Sequence, residues 1–136
     1  TQVENGMLFV MDVDRFKQIN DQYGHAAGDM ALRFLGESIQ RTFYESDILG
    51  RIGGDEMIVF AEDMDSPDTA GKKAEILEKH LETGGNLGIP SYSVSIGIAR
   101  YPLDGANFKE LFQAADQAMY HAKKQGKGQY CFYMDI

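Results

Sequence analysis

Near the middle of the chain, Gly53-Gly54-Asp55-Glu56 sets two carboxylates beside two residues that lack a Cβ. Glycine lets a ligand approach the backbone closely, and adjacent carboxylates repel unless a cation lies between them. The combination suits a metal–nucleotide site at a turn. A solvated acidic turn is the plain alternative, and the tetrapeptide alone leaves both open. Asp12 is the next acid of interest, because it occupies the last inward position of an apolar run and has no capping duty. A lone carboxylate there is costly unless it is paired or coordinated. Lys17, Asn20, His25 and Asp29 follow in close succession, and Lys123 and Lys127 stand one helical turn apart near the other end.

The chemistry depends on whether Asp12 meets Asp55 and Glu56. Two unit charges about 4 Å apart cost on the order of 4 kcal/mol at an effective dielectric near 20. Such a group demands a cation, and hard carboxylates select Mg²⁺ or Mn²⁺. Mg²⁺ usually completes its shell with phosphate oxygens, which points to a nucleoside triphosphate. The amides opening the helix after Asp14, with Lys17, would then cradle phosphates. Lys123 and Lys127 would add positive charge if their helix end points the same way.

The elements that must position these groups are legible from hydrophobic periodicity. Met7-Leu8-Phe9-Val10-Met11 is continuously apolar, as expected of a strand covered on both faces. Asp14 is read as the N-cap of a short helix over residues 15–23, stopped by Gly24. Gly28-Asp29 is read as opening a second helix with apolar positions Met30, Ala31, Phe34, Leu35, Ile39 and Phe43. In that frame Asp29 has a ligand-free reading as a first-turn acid, and His25 as a packing residue. Two apolar runs joined by Gly-Gly-Asp-Glu form a hairpin over residues 47–61. An acidic linker with Pro67 leads to a helix through Ala70, Ala74, Leu77 and Leu81, then to a loop at Thr83-Gly84-Gly85-Asn86 and a strand delayed by Pro90. Residues 92–99 alternate large apolar with small, and Ser93, Ser95 and Gly97 leave room for a close neighbour. Phe108, Leu111, Phe112, Ala115, Met119 and Ala122 make a core-facing helical stripe, and residues 130–134 a closing strand. The order β-α-α-β-β-α-β-α-β contains a hairpin, so a purely parallel sheet is excluded. The expected fold is α+β, ferredoxin-like or palm-type, with helices flanking a central, mostly antiparallel sheet.

At 136 residues the chain suits one domain. Its net charge of −8 argues against a general nucleic-acid surface, which neutralises phosphates with Lys and Arg. The single Cys131 excludes an internal disulfide and fits a reducing compartment. No apolar run approaches the length of a membrane span, and the N-terminus lacks a signal peptide's basic-then-apolar layout. A cytoplasmic domain with no membrane contact of its own is expected.

Four blocks carry a family resemblance. They are Asp12-Val13-Asp14-Arg15-Phe16-Lys17-Gln18-Ile19-Asn20-Asp21-Gln22-Tyr23-Gly24-His25-Ala26-Ala27-Gly28-Asp29, Arg51-Ile52-Gly53-Gly54-Asp55-Glu56, Val94-Ser95-Ile96-Gly97-Ile98-Ala99, and Ala115-Asp116-Gln117-Ala118-Met119-Tyr120-His121-Ala122-Lys123. Together they resemble the GGDEF domain, the diguanylate cyclase family, here as one domain over residues 1–136. The resemblance implies a Mg²⁺-dependent (or Mn²⁺-dependent) nucleotidyltransferase that joins two GTP into cyclic di-GMP, with two such domains meeting face to face. It implies that Asp12, the Val13 carbonyl and Asp55 hold the metal, with Glu56 in support. Asp55 would also take the ribose 3′-hydroxyl proton, and Lys17 would stabilise charge on the transferring phosphoryl group. Asn20 and Asp29 would read guanine, His25 would lie close to the nucleotide, and Lys123 with Lys127 would hold the distal phosphates. Gly53 and Gly54 would let the hairpin backbone lie against GTP.

The chain departs from the family pattern in several places. Met57 stands where the family signature has Phe, and its side chain is expected in the core. Lys127 replaces an Arg, keeping the charge and losing the bidentate fork. Tyr44-Glu45-Ser46-Asp47 lacks the Arg of the family's Arg-x-x-Asp product-inhibition site. The family usually opens with a helix and an Asp-x-Leu-Thr-Gly-Leu-x-Asn-Arg segment, whereas this sequence begins almost at the first strand; that helix and upstream sensory or dimerising modules are expected to lie outside it. A GTP-binding regulatory module without turnover is therefore the alternative function.

Overall fold

The structure is a computed structural model that describes residues 3–44, 47–82 and 91–136. The expected loop at Thr83-Gly84-Gly85-Asn86, the delay at Pro90, and Glu45 and Ser46 lie outside the described residues. The elements follow the expected order: β1 Gly6–Val13, α1 Phe16–Tyr23, α2 His25–Thr42, β2 Ile48–Ile52, β3 Glu56–Glu62, α3 Pro67–Leu81, β4 Val94–Tyr101, α4 Phe108–Lys124 and β5 Tyr130–Phe132. The sheet runs β2-β3-β1-β4-β5. β1 is antiparallel to both β3 and β4, and only the short β4–β5 edge is parallel.

The unbroken apolar character of β1 follows from its central place, where both faces are covered. Met7, Phe9, Met11 and Val13 join Leu35, Ile39, Ala74 and Leu77 in the core beneath α1, α2 and α3. Leu8 and Val10 point the other way and pack with Leu111, Ala115 and Met119 of α4. The small residue at Gly97 lets α4 lie directly on β4: a Cβ there would sit 1.9 Å from the Ala115 carbonyl oxygen and 2.3 Å from the Met119 nitrogen. Met57 is buried in the first of these cores, as its expected inward orientation requires.

Several local expectations are corrected. Asp14 does not cap α1. Arg15 takes the N-cap position with φ 54°, and no side chain accepts a hydrogen bond there. α2 begins at His25, three residues before Gly28, because Gly24 at φ 92° turns the chain within a single residue. Asp29 thus lies beyond the first turn of α2, and Met30 is 37% exposed and outside the core. Phe108 at the start of α4 is 55% exposed and leans on the Phe112 ring, with centroids 5.9 Å apart. β5 ends at Phe132, and a 3₁₀ turn over Tyr133–Asp135 replaces the rest of the expected strand. α4 stops at Lys124, so Lys127 lies past the helix at φ 63°, off the helical face shared with Lys123.

Candidate active site

β1 delivers Asp12 to one end of the sheet. Its register partners are Glu56 on β3 and Ser95 on β4. Side chains alternate across a sheet, so Asp12 continues the Leu8–Val10 face and comes out beneath α4. The three-residue turn 53–55 closes the β2–β3 hairpin beside it. Gly53 adopts φ 69°, and the Arg51 guanidinium donates to the Gly54 carbonyl at 2.7 Å. The Val13 amide donates to the Asp55 carbonyl at 3.4 Å, which fastens the turn to the end of β1. A Cβ at either Gly53 or Gly54 would meet nothing within 4 Å, so the turn presents open backbone.

Asp12 is 9% exposed, and its Oδ2 accepts from the Lys123 ammonium. Its Oδ1 is buried without a donor, and the neighbouring side chain is the Asp55 carboxyl. Burial first, then the Asp55 carboxyl, push the Asp12 carboxyl up to about 7 against the opposing pull of Lys123. Glu56 is raised as well, by burial and then by Asp116 and Asp55. Four carboxylates therefore crowd one ammonium. Two acceptors facing each other across a buried gap are stabilised by a shared proton or by a cation.

These residues fit a hard divalent ion. Among the described residues, no three His, Cys, Asp or Glu side chains gather as a ready-made cage. Mg²⁺ does not need one, since it is commonly held by one or two carboxylates together with substrate phosphates and water. The orphaned Oδ1 of Asp12 beside Asp55 is such an opening, and the Lys123 ammonium already places positive charge there.

The remaining candidates surround this centre. Lys17 is exposed on the first turn of α1, and His25 is exposed at the start of α2. Asn20 packs against α2 where Gly28 has no side chain. A Cβ on Gly28 would lie 1.8 Å from the Asn20 Oδ1, which is buried and has no partner. Asp29, the residue after Gly28, is exposed in a cleft of about 560 Å³ lined also by Arg33, Gln40, Arg51 and Met57. Asn20 thus meets α2 at Gly28, and Asp29 follows on the flank reached by Arg51 and Met57 of the hairpin. Lys127 is half-buried, and its amide donates to the Ala122 carbonyl at 3.2 Å. A second cleft, of about 490 Å³ and lined by Leu8, Ile58, Phe60, Tyr101 and Phe108, is apolar and lies toward the opposite end of β1.

Two features escape a reading of the sequence. Asp116 acts on Glu56 from α4; its spacing of seven from Lys123, two helical turns, is the available signal. Asp14 is 6% exposed and accepts from Ser93 Oγ and Ser95 Oγ, each at 2.6 Å, and from the Gly128 amide at 2.8 Å. Nothing in its local sequence signals partners so distant along the chain.

Comparison with known proteins identifies the family and the fold. Residues 1–129 match the family described as diguanylate cyclase, GGDEF domain. The chain is 42% identical over 128 residues to the bifunctional diguanylate cyclase/cyclic di-GMP phosphodiesterase MucR of Pseudomonas aeruginosa, covering 93% of this chain and 18% of that protein. The crystal structure of the GGDEF domain of YfiN (TpbB) from Pseudomonas aeruginosa superposes with a TM-score of 0.87 at 36% identity, covering 95% of this chain and 82% of that one. The active GGEEF domain of a diguanylate cyclase from Vibrio cholerae gives 0.86 at 28% identity, over 95% and 83%. The chain spans about a fifth of the length of MucR.

Proposed function

The chain belongs to the GGDEF domain family of diguanylate cyclases, and on that premise we propose that it condenses two GTP into cyclic di-GMP with release of two pyrophosphates. The observation that carries the proposal is the buried, unpartnered Asp12 Oδ1 next to the Asp55 carboxyl, beside Glu56 and the Lys123 ammonium at the end of β1.

Asp12, Asp55 and Glu56, with the Val13 carbonyl, would hold Mg²⁺ or Mn²⁺. That ion, when bound, neutralises phosphate charge and polarises the α-phosphoryl group. Asp55 would accept the proton of a ribose 3′-hydroxyl. Each attack forms one P–O bond at the α-phosphorus of the other GTP and breaks the bond to its pyrophosphate. Lys17 faces the transferring phosphoryl group, while Lys123 and Lys127 hold the distal phosphates. Asn20 and Asp29 receive the guanine edge beside Gly28, and His25 borders the nucleotide. One domain binds one GTP, so turnover needs a second copy facing the first, and positioning supplies much of the rate. No described helix is long and apolar enough to cross a membrane; we place the domain in the cytoplasm, where GTP is made and used.

The test is incubation of the domain with GTP and Mg²⁺ over a series of protein concentrations, with products separated chromatographically. Cyclic di-GMP should form at a rate rising faster than linearly with protein. GTP should be preferred to ATP by roughly tenfold or more, because adenine lacks the N1–H and exocyclic amine that Asn20 and Asp29 would accept from. GTP binding with no product at any concentration would leave the regulatory-module reading in its place. Equal affinity for ATP would remove the guanine assignment.

A further inference from the structure

We infer that Asp14 is a positioning residue, whose carboxylate holds the lysine-bearing turn after α4 in register with the metal end of β1. The inference rests on the nucleotide reading of that site. Three chain segments meet on this carboxylate. Asp14 itself follows Val13 and leads into the Arg15 turn that opens α1. Ser93 and Ser95, from the beginning of β4, donate to Oδ2 and Oδ1. Gly128, from the turn between α4 and β5, donates its amide to Oδ2.

That turn does not hold itself. Gly126, Lys127 and Gly128 take φ values of 129°, 63° and 60° in succession. A left-handed lysine is strained, so the turn persists only where its surroundings determine it. Four hydrogen bonds anchor it: the Lys127 amide on the Ala122 carbonyl, the Gly126 amide on the Lys123 carbonyl, the Gln129 side-chain amide on the Lys127 carbonyl and the Gly128 amide on Asp14. Of these, the bond to Asp14 crosses to the strand carrying Asp12. Asp14 acts by fixing the segment between α4 and β5 relative to α1, and not by gripping a phosphate-facing lysine itself. A charge-assisted bond from a buried carboxylate is well suited to that task. The demand is geometric: it needs acceptors at these places. An asparagine can accept from Gly128 and Ser93 while donating to Ser95.

Two measurements test this. First, hydrogen exchange of the Gly128 amide in the nucleotide-free protein should be protected in the wild type and in Asp14→Asn, and fast in Asp14→Ala. Second, titration calorimetry with Mg·GTP and with Mg·pyrophosphate should show Asp14→Ala weakened roughly tenfold or more for both, the scale seen when a supporting partner is removed. Asp14→Asn should stay within about threefold, because a neutral acceptor keeps most of a hydrogen bond's net contribution. If Asp14→Ala does not fold, the Ser93→Ala/Ser95→Ala double variant takes its place and should lose affinity in the same direction. A folded Ala or double-serine variant with wild-type affinity overturns the inference. So does Asp14→Asn as weak as Asp14→Ala, which would make charge the requirement. A wild type that binds neither ligand would instead sink the nucleotide reading, while the exchange data would still report on the anchor.

Discussion

Asp12 and Asp55 meet as two acceptors beside one ammonium, with the helix above. Removing Asp55 would take away the proposed proton acceptor and metal ligand, yet it would also relieve repulsion on Asp12. Asp55→Ala should therefore lose turnover by about a thousandfold or more, with a melting temperature equal to or above that of the parent. Wild-type rates of cyclic di-GMP formation would remove the metal and base assignment. A second acid with a raised carboxyl has no such use. Glu78 on α3 is pushed up to about 7 by burial and then by Glu75, Asp14 and Glu82, and its Oε1 has no partner. A carboxyl raised above its ordinary value of 4.5 is protonated in the fold where the unfolded chain is ionised. Its contribution is thus fully present below about pH 4.5 and is lost as pH rises through about 7. Glu78 is half-exposed, so screening reduces the effect. Glu78→Gln should stabilise the domain by about 1 kcal/mol at pH 8, with little change at pH 4, read from urea denaturation. If the variant lost as much stability as the parent between these pH values, or more, Glu78 would not be the source of that loss.

Two glycines show how the elements share the work. At Gly97 a Cβ would strike helix backbone on α4, so Gly97→Ala should destabilise the domain by roughly 3 kcal/mol. At Gly28 the obstacle is the Asn20 side chain, which can swing away. Gly28→Ala should leave the melting temperature near that of the parent and weaken GTP roughly tenfold, as expected when a guanine-facing amide is displaced. Calorimetry and thermal melting separate the two outcomes; a large melting shift without loss of GTP would reverse the assignment. The contrast also marks what is legible in the sequence. The apolar run over 7–11 and the turn at Gly53-Gly54 are local signals, and they place the central strand, the hairpin and the meeting of Asp12 with Glu56. The role of Asp14 is not legible, because an aspartate before a helix has the same local pattern whether it caps or reaches Ser95 and Gly128, about eighty and more residues away. The start of α2 is hidden for a related reason: Gly28 looks like a helix opener, when it is a buried interior position that admits Asn20. Spacing alone sets Lys127 one helical turn from Lys123 and carries no sign that the chain leaves the helix at Lys124.

At the scale of the whole molecule, the proposed reaction needs two nucleotides on two domains, and its rate should be governed by encounter of two copies, each carrying −8. Product would add a second control if the surface at Tyr44 and Asp47 gripped it. The arrangement there speaks against tight binding. Asp47 spends one oxygen on the Tyr44 amide at 3.1 Å and the other on the Glu62 amide at 3.2 Å, so it fastens the start of β2 to the end of β3. Tyr44 is 71% exposed and can stack on a base, but a phenol offers one neutral donor in place of a guanidinium fork. A cation does lie nearby, which residues 44–47 alone do not reveal: the Lys73 ammonium sits 4.8 Å from the centre of the Tyr44 ring. It already donates to the Thr42 carbonyl at 2.8 Å and would meet a phosphate at a single point. We therefore expect binding of cyclic di-GMP weaker than about 10 μM, near −7 kcal/mol, and turnover that does not slow as product accumulates. Tyr44→Arg should introduce inhibition that the parent lacks, with Lys73 as its neighbour. Calorimetric titration of both proteins with cyclic di-GMP decides the matter. Micromolar binding by the parent, lost in Lys73→Ala and retained in Tyr44→Arg, would show that the ammonium does suffice and that product restrains this enzyme after all.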